Sequence, residues 1–532
     1  MVVPATQDVT TLERALGRVR DPFHVVAGTD GYEFLDADAD GNAPEYGRWV
    51  GFLPACRLEN LGDASFCADH GLRYGYYSGA MANGIGSAEI AEAMGRAGML
   101  GIFGAAGLSL SRVEAAIDRL DRTLGGAGLP YGFNLIHSPG EPALEAAVAD
   151  LYLKRGVRLV EASAYLDLTL PVVRYRVHGL HVDRAGTLVA PNRLIAKASR
   201  VEVASKFLAP PPAKFLRELV ATRDITPEQA EWATRLPMAD DLTAEADSGG
   251  HTDNQPAVVL LPTMLALRDR LQAQYRFAQT PRVGAAGGIA TPWSAAALFA
   301  MGAAYVGVGS VNQACVESGT SDAVRRMLAE ARQADVAMAP AADMFEMGVK
   351  LQVLKRGTMF AMRAAKLYEL YRSHASLDAL PAADRAALEK TIFQLPLEEV
   401  WSQTTAFFRE RDPAQIDRAA TDGKHKMALV FRWYLGKSSA WANAGEPSRM
   451  MDYQVWCGPS MASFNAWAQG SFLERPENRR VATVALNILY GAAVLARARA
   501  LAGQGIALPP GTPRLLPREP SEIEERLRPP SS

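Results

Sequence analysis

"VGAAGGIATPWSAAALFAMGAAYVGVGS", residues 283–310, holds two short apolar runs, each with glycines near its end, and a helix-length stretch between them. The runs, 283–289 and 305–310, have the length of buried strands. Thr291 as N-cap and Pro292 at the first helical position, where a missing N–H costs nothing, open the stretch that joins them. Strand, helix, strand is the crossover unit of a parallel sheet. The same rhythm extends back along the chain, with strand signals at 76–82, 100–106, 131–137, 158–164, 193–199 and 242–248. "SRVEAAIDRLDRTLG" (111–125) supplies a helix between two of them, with Ser111 and Glu114 at capping-box spacing. Eight such signals predict an α/β fold closed into a (β/α)8 TIM barrel rather than a doubly wound open sheet.

The barrel reading covers 75–312. Residues 1–74, with β-like pieces at 23–28 and 32–37, read as a small N-terminal cap. Residues 207–240 read as a helical insertion between strands five and six. Residues 313–505 read as a helical extension, and the Pro-rich, charged stretch 506–532 as a flexible tail. With 532 residues, 48% hydrophobic, 21% charged and a net charge of -2, the composition is that of a globular protein with no electrostatic footprint for nucleic acid. Cys56, Cys67, Cys315 and Cys457 show no CxxC spacing, which points away from a metal site or disulfide framework and towards a reducing compartment. The first residues lack a signal-peptide core, and no apolar run reaches the roughly 18 residues of a membrane span. A cytoplasmic enzyme with no membrane contact is expected.

Barrel enzymes place their chemistry at the C-terminal ends of the strands. There Gly287 and Gly288 follow strand seven, and Gly307, Val308, Gly309 and Ser310 close strand eight. Paired glycine turns beside a helix start suit a phosphate, because a Cβ would block the approach of an oxyanion to backbone N–H groups. The same glycines would equally permit tight turns and close packing. His251, one of 8 histidines, ends the run "AEADSGGH" after strand six and would face the same mouth. Imidazole titrates near neutrality and can move a proton at a substrate carbon; without a ligand nearby it would be an ordinary loop residue. Cys315, near strand eight, reads as a small buried hydrophobe rather than a nucleophile.

"GAMANGIGSAEIAEAMGRAGMLGIFGAAG" (79–107), "EADSGGHTDNQP" (245–256) and residues 285–310 together resemble the FMN-binding barrel shared by nitronate monooxygenases and FMN-dependent enoyl-acyl-carrier-protein reductases. Residues 338–373 and 431–493 are similar to a narrower group, the trans-acting enoyl reductases of polyketide and polyunsaturated fatty acid synthases. The resemblance implies FMN and NADPH as cofactors, and as substrate an enoyl thioester on an acyl carrier protein domain of a polyketide or fatty acid synthase. Hydride would pass from NADPH to FMN and on to the β-carbon, with a proton added at the α-carbon. It implies His251 as the active-site histidine, donor or relay, and Asn134 as a flavin contact. Ala80, Met81 and Ala82 become the backbone bed after strand one. Gly249, Gly250, Gly287, Gly288, Gly307, Val308, Gly309 and Ser310 become phosphate and ribityl contacts. Lys197 would lie beside the flavin ring, where a cation stabilises negative charge, unless it simply reaches water at a strand end. A nitronate monooxygenase and a non-catalytic flavin-bearing component of a synthase are the competing readings. Trp433, Trp441, Trp456 and Trp467 in the extension would pack on the barrel or form a docking face for a carrier protein or a second copy in a homodimer. Arg432 and Arg449 would then be exposed to steer an acidic partner.

Overall fold

In the computed structural model, which describes residues 9–28, 31–37, 48–139 and 141–528, all eight strand signals become parallel strands. They are β1 (Tyr76–Ser78), β2 (Leu100–Phe103), β3 (Gly132–Ile136), β4 (Leu159–Ser163), β5 (Arg193–Ala198), β6 (Asp241–Glu245), β7 (Arg282–Ala286) and β8 (Val306–Val308). They pair in chain order, and β8 closes on β1 through Val306↔Tyr76 and Val308↔Ser78. The closed TIM barrel follows from strand faces that are apolar on both sides, one against the helices and one against the interior. The interior is a packed plug of Tyr77, Tyr305, Ile102, Leu159 and Ile195, closed from below by Phe66 on the helix Ala64–His70.

The helix after β7, Pro292–Ala300, starts as the sequence predicts: Thr291 accepts from the Ser294 N–H and Pro292 occupies the first turn. The helix Leu110–Thr123 differs. Its N-cap is Ser109 and Ser111 already lies inside it, so the Ser111–Glu114 box is not made. Within 207–240 lie two helices, Ala213–Ala221 and Pro227–Ala233.

Ahead of the barrel, helix Val9–Gly17 and an antiparallel sheet of Phe23–Ala27, Tyr32–Asp36 and Arg48–Leu53 pack against the helix Val481–Gly503. The Arg497 guanidinium donates to the carbonyls of Ala15, Asp21 and Pro54 at 2.9, 3.0 and 2.6 Å. Tyr490 donates to the Gly17 carbonyl at 2.9 Å. Contrary to the sequence reading, Val481–Gly503 is long and apolar enough to cross a bilayer, with mean hydropathy 1.6, but 72% of it is buried inside the protein. It serves as a core helix against Pro292–Ala300.

Two further readings are corrected. The 313–505 extension is not wholly helical. Val336–Pro340 and Lys350–Leu354 form a hairpin that continues onto Gly250–His251 in a three-stranded antiparallel sheet. Leu351 and Val353 need a buried face, and a second core of Phe345, Phe360, Phe393, Phe431 and Tyr434 supplies it, while Leu354 joins the main core. The stretch 506–528 is docked rather than loose. Leu515 and Ile523 are buried, the Trp467 indole donates to the Leu515 carbonyl, and Asn487 bonds both backbone groups of Arg518.

Candidate active site

The C-terminal ends of the strands carry a cluster of charges that the sequence only partly disclosed. Glu161 points inward from the middle of β4 and is fully buried. One of its oxygens accepts the Ala80 N–H at 2.9 Å, while the other, Oε1, has no partner among the described residues. Burial raises its carboxyl pKa against the opposing pull of the Lys197 charge and the Ala80 N–H. Lys197, on β5, reaches Glu245 at the end of β6 with 2.7 Å between Nζ and Oε1. Burial alone would favour its neutral form, but the charges of Glu245 and Glu161 outweigh that and hold it firmly protonated. Lys197 therefore sits between two carboxylates and does not reach freely into water. A glutamate inside "LVEAS", a strand otherwise built for the dry interior, was the signal for Glu161.

His251 lies on the two-residue strand Gly250–His251, paired with Leu351 of the extension, and 43% of its side chain is exposed. Its Nε2 is 3.0 Å from Asp343 Oδ1. Burial lowers the imidazole pKa, but the hydrogen bond and charge of Asp343, helped by Glu245, raise it overall. Asp343, in turn, is held below the ordinary carboxylate range by His251 despite its own burial penalty. The loop bearing His251 is tied down by the extension: Gln352 donates to Asp247 at 2.9 Å, and Arg200 after β5 clamps Asp253 at 2.7 and 2.9 Å.

The predicted glycines separate into two kinds. A Cβ on Gly288 (φ +74°) or on Gly309 would meet nothing within 4 Å, and no backbone acceptor among the described residues reaches the N–H of either. These two turns form an open cradle at the ends of β7 and β8, next to the start of helix Pro292–Ala300. Gly287 (φ +87°) makes the turn possible, since a Cβ there would lie 2.4 Å from the Ala246 carbonyl. Gly307 and Val308 are strand residues instead. A Cβ on Gly307 would enter the Tyr77 ring at 2.3 Å, and Val308 is buried. Gly249 is a close-approach glycine, its Cβ position 2.9 Å from the Cys457 N, and Gly250 belongs to the sheet with the extension. At Gly307 and Gly249 close packing by itself requires glycine. Ser310 opens a four-residue helix beside Gly309.

Ala80, Met81 and Ala82 form the half-buried turn after β1. Asn134 is buried on β3, its amide donating to the Glu161 carbonyl and to Ser163 Oγ, both at 3.0 Å. An oxyanion-bearing planar cofactor suits this donor set. Free backbone N–H groups stand at two open glycine turns, and an unpartnered carboxylate oxygen and a charged lysine stand across the mouth. A phosphate-bearing cofactor would meet Gly288, Gly309 and Ser310 at its anionic end, with Ala80–Ala82, Asn134 and Lys197 lining the rest of the mouth. Cys315 is buried, its thiol pKa pushed well up by burial, which suits a core residue.

Of the four tryptophans named from the sequence, Trp433, Trp441 and Trp456 are half-buried. Trp433 and Trp441 meet edge to face at 5.8 Å, and Trp467 is buried. Arg449 is not exposed: it is buried, 3.9 Å over the Trp441 ring, and donates to the carbonyls of Ile392 and Phe393. Arg432 is half-buried beside Glu346.

The sequence profile of the nitronate monooxygenase family matches residues 77–391, and that of the inserted helical domain of [acyl-carrier-protein] S-malonyltransferase matches residues 374–453. One component of the polyunsaturated fatty acid synthase of Thraustochytrium sp. is 49% identical over 453 residues, covering 84% of this chain and 30% of that protein. The polyketide biosynthesis protein PksE of Bacillus subtilis is 44% identical, covering 83% of this chain and 57% of PksE. The chain thus spans less than two thirds of either relative. Among solved structures, the enoyl reductase domain of MlnA from the macrolactin cluster of Bacillus amyloliquefaciens superposes with a TM-score of 0.79 at 40% identity, over 83% of this chain and 99% of that domain.

Proposed function

From a chain that belongs to the nitronate monooxygenase family, and within it to the enoyl reductases of polyketide and polyunsaturated fatty acid synthesis, we propose an FMN-dependent enoyl reductase. It acts in trans on an enoyl thioester carried by an acyl carrier protein, with NADPH as reductant. The observation that carries this reading is the open cradle at Gly288 and Gly309 facing the Glu161–Lys197–Glu245 cluster across one barrel mouth. FMN bound there would relay a hydride between the nicotinamide and the β-carbon of the thioester.

The chain's own residues do the remaining work. Backbone N–H groups at Gly288 and Gly309 hold the phosphate, as helix and loop N-termini do for anions generally. Lys197 places a fixed cation where negative charge develops, at the depth at which such charges are least screened. Its two carboxylate neighbours keep it protonated and stationary. His251, held by Asp343 at the junction of barrel and extension, orients the thioester and relays protons to solvent. The extension clasps the loop after β6 through Gln352 and through Cys457, which packs on Gly249, and so limits water at the mouth.

The test is direct. The purified protein should release FMN, identified by mass, and in the absence of oxygen should turn over NADPH beyond one equivalent per flavin only when crotonyl-pantetheine is present, giving butyryl-pantetheine. Recovery of FAD or no flavin would undo the cofactor assignment. NADPH-independent oxidation of a nitroalkane with no thioester reduction would assign the chain to the monooxygenases instead.

A further inference from the structure

A second histidine stands at the barrel mouth, and the roles given to Lys197 and His251 leave it unused. His137 is the first residue after β3, its backbone N–H bonded to the Ser163 carbonyl at 3.0 Å. Its ring Nδ1 lies 3.0 Å from Oε2 of Glu145, a buried carboxylate on helix Pro142–Arg155. The other oxygen of Glu145 accepts the hydroxyls of Tyr165, at 3.1 Å, and Thr169. The imidazole stacks on Tyr165 with ring centroids 5.3 Å apart and planes inclined by 20°. Tyr165 follows Ala164, which holds φ +62° without being glycine. Such strain persists only where surrounding contacts impose it, and here it delivers the ring that supports His137.

This geometry settles which nitrogen is available. A carboxylate oxygen accepts, so Nδ1 carries the hydrogen and donates to Glu145. With 16% of the side chain exposed, Nε2 has no hydrogen-bond partner among the described residues and is the nitrogen left available at the end of β3. His251 has the opposite arrangement: its Nε2 is spent on Asp343, and 43% and 55% of the two side chains are exposed. A proton held by His137 is therefore directed by a dry carboxylate and a stacked ring, whereas one held by His251 exchanges with water.

Resting on the enoyl-reductase reading above, we propose that His137 delivers the proton to the α-carbon of the enoyl thioester and that Glu145 is its positioning residue. Hydride, supplied through the flavin by a dihydronicotinamide, adds at the β-carbon, and the double-bond electron pair moves to the enolate. The α-carbon takes the proton from Nε2–H of the imidazolium. That leaves a neutral imidazole whose Nδ1–H stays on Glu145, and water returns the proton to Nε2. His251 keeps its part in orienting the thioester.

The experiment uses the flavin-loaded protein with crotonyl-pantetheine in D2O. His137→Gln should retain flavin and be reduced by NADPH at the wild-type rate, while reoxidation by the thioester slows by about 10²–10⁴-fold. Wild-type product should carry deuterium on one face of the α-carbon, and the residual product of the variant on both faces. Wild-type rates with single-face deuteration in the variant would overturn the proposal. Independently of turnover, long-range proton–nitrogen spectra of ¹⁵N-histidine protein should show His137 with hydrogen on Nδ1, and Glu145→Gln should abolish that preference. Finding hydrogen on Nε2 alone in the wild type would overturn the proposal even if His137→Gln failed to fold. If the wild-type flavin is not reoxidised by any enoyl thioester, the enoyl-reductase reading falls, and the proton assignment falls with it.

Discussion

Both ends of the barrel pair histidines with carboxylates, but they finish the pairing differently. At the N-terminal end, Asp241 accepts His70 at 2.7 Å and Arg282 at 2.6 Å, and Arg282 also grips Asp69 at 2.6 Å. His70, Asp241 and Arg282 are buried, and Arg282 also lies over Phe66. At the C-terminal end, Glu161 keeps an unpartnered oxygen, His137 and His251 each commit one ring nitrogen, and the glycine turns leave backbone N–H groups open. A buried network whose members satisfy each other fixes a structure, whereas one left incomplete is prepared for a ligand. The type of residue does not separate the two ends; the completeness of its bonding does.

The comparison breaks most easily at the bottom. Asp241→Ala strands His70 and Arg282 without their acceptor and should cost about 3–5 kcal/mol in urea unfolding, with flavin per folded molecule unchanged. Loss of flavin at wild-type stability would reverse the assignment of the two ends. Burial works against the Asp241 carboxylate, but His70 and Arg282 hold its folded pKa below the ordinary 3.8. Its contribution is thus complete above about pH 4 and disappears as pH falls through that lower folded value. A stability curve flat through acid pH would contradict this.

The two kinds of glycine give the next contrast. Gly307→Val forces methyl groups into the Tyr77 ring and should cost about 1–3 kcal/mol or more of stability, while whatever folds still binds flavin. Gly288→Val meets open space, so its strain is confined to one turn, about 1–3 kcal/mol, but flavin per folded molecule should fall at least tenfold. Equal flavin content in the two variants would remove the distinction drawn between cradle and strand.

The smallest effect concerns His251. Asp343→Asn removes the partner that raises its pKa, so the imidazole should titrate at lower pH by NMR. In the wild type the pair's stabilisation is complete below the ordinary value of 6.5 and fades as pH rises through the higher folded pKa. An unmoved titration would show that Asp343 is not the cause.

Much of this was legible in advance. Eight apolar runs with turn residues at their ends predict the closed barrel, because parallel strands buried on both faces cannot hide their composition. The mouth residues Gly288, Lys197 and His251 could be named because glycine pairs and lone charged residues at strand ends are conspicuous. Gly307 and Gly249 could not be told from Gly288, since close packing and ligand approach both demand glycine. His137 and Glu145 lie eight residues apart across a turn, and only the helix Pro142–Arg155 folding back shows that they meet. Asp343 and Gln352 escaped, and Arg449 was placed on the surface, for the same reason. Their partners are distant in sequence, and the hairpin that delivers the first two sits in a region whose alternation is masked by methionine and alanine.

The measurement closest to the central claim is anaerobic reoxidation of the chemically reduced flavoprotein in a stopped-flow instrument. Deoxygenated crotonyl-pantetheine and air-saturated buffer are mixed in separately. A barrel mouth built this way predicts rapid reoxidation by the thioester, with butyryl-pantetheine formed one for one with flavin, and faster than by oxygen. Reoxidation by oxygen alone, with the thioester inert, would contradict it.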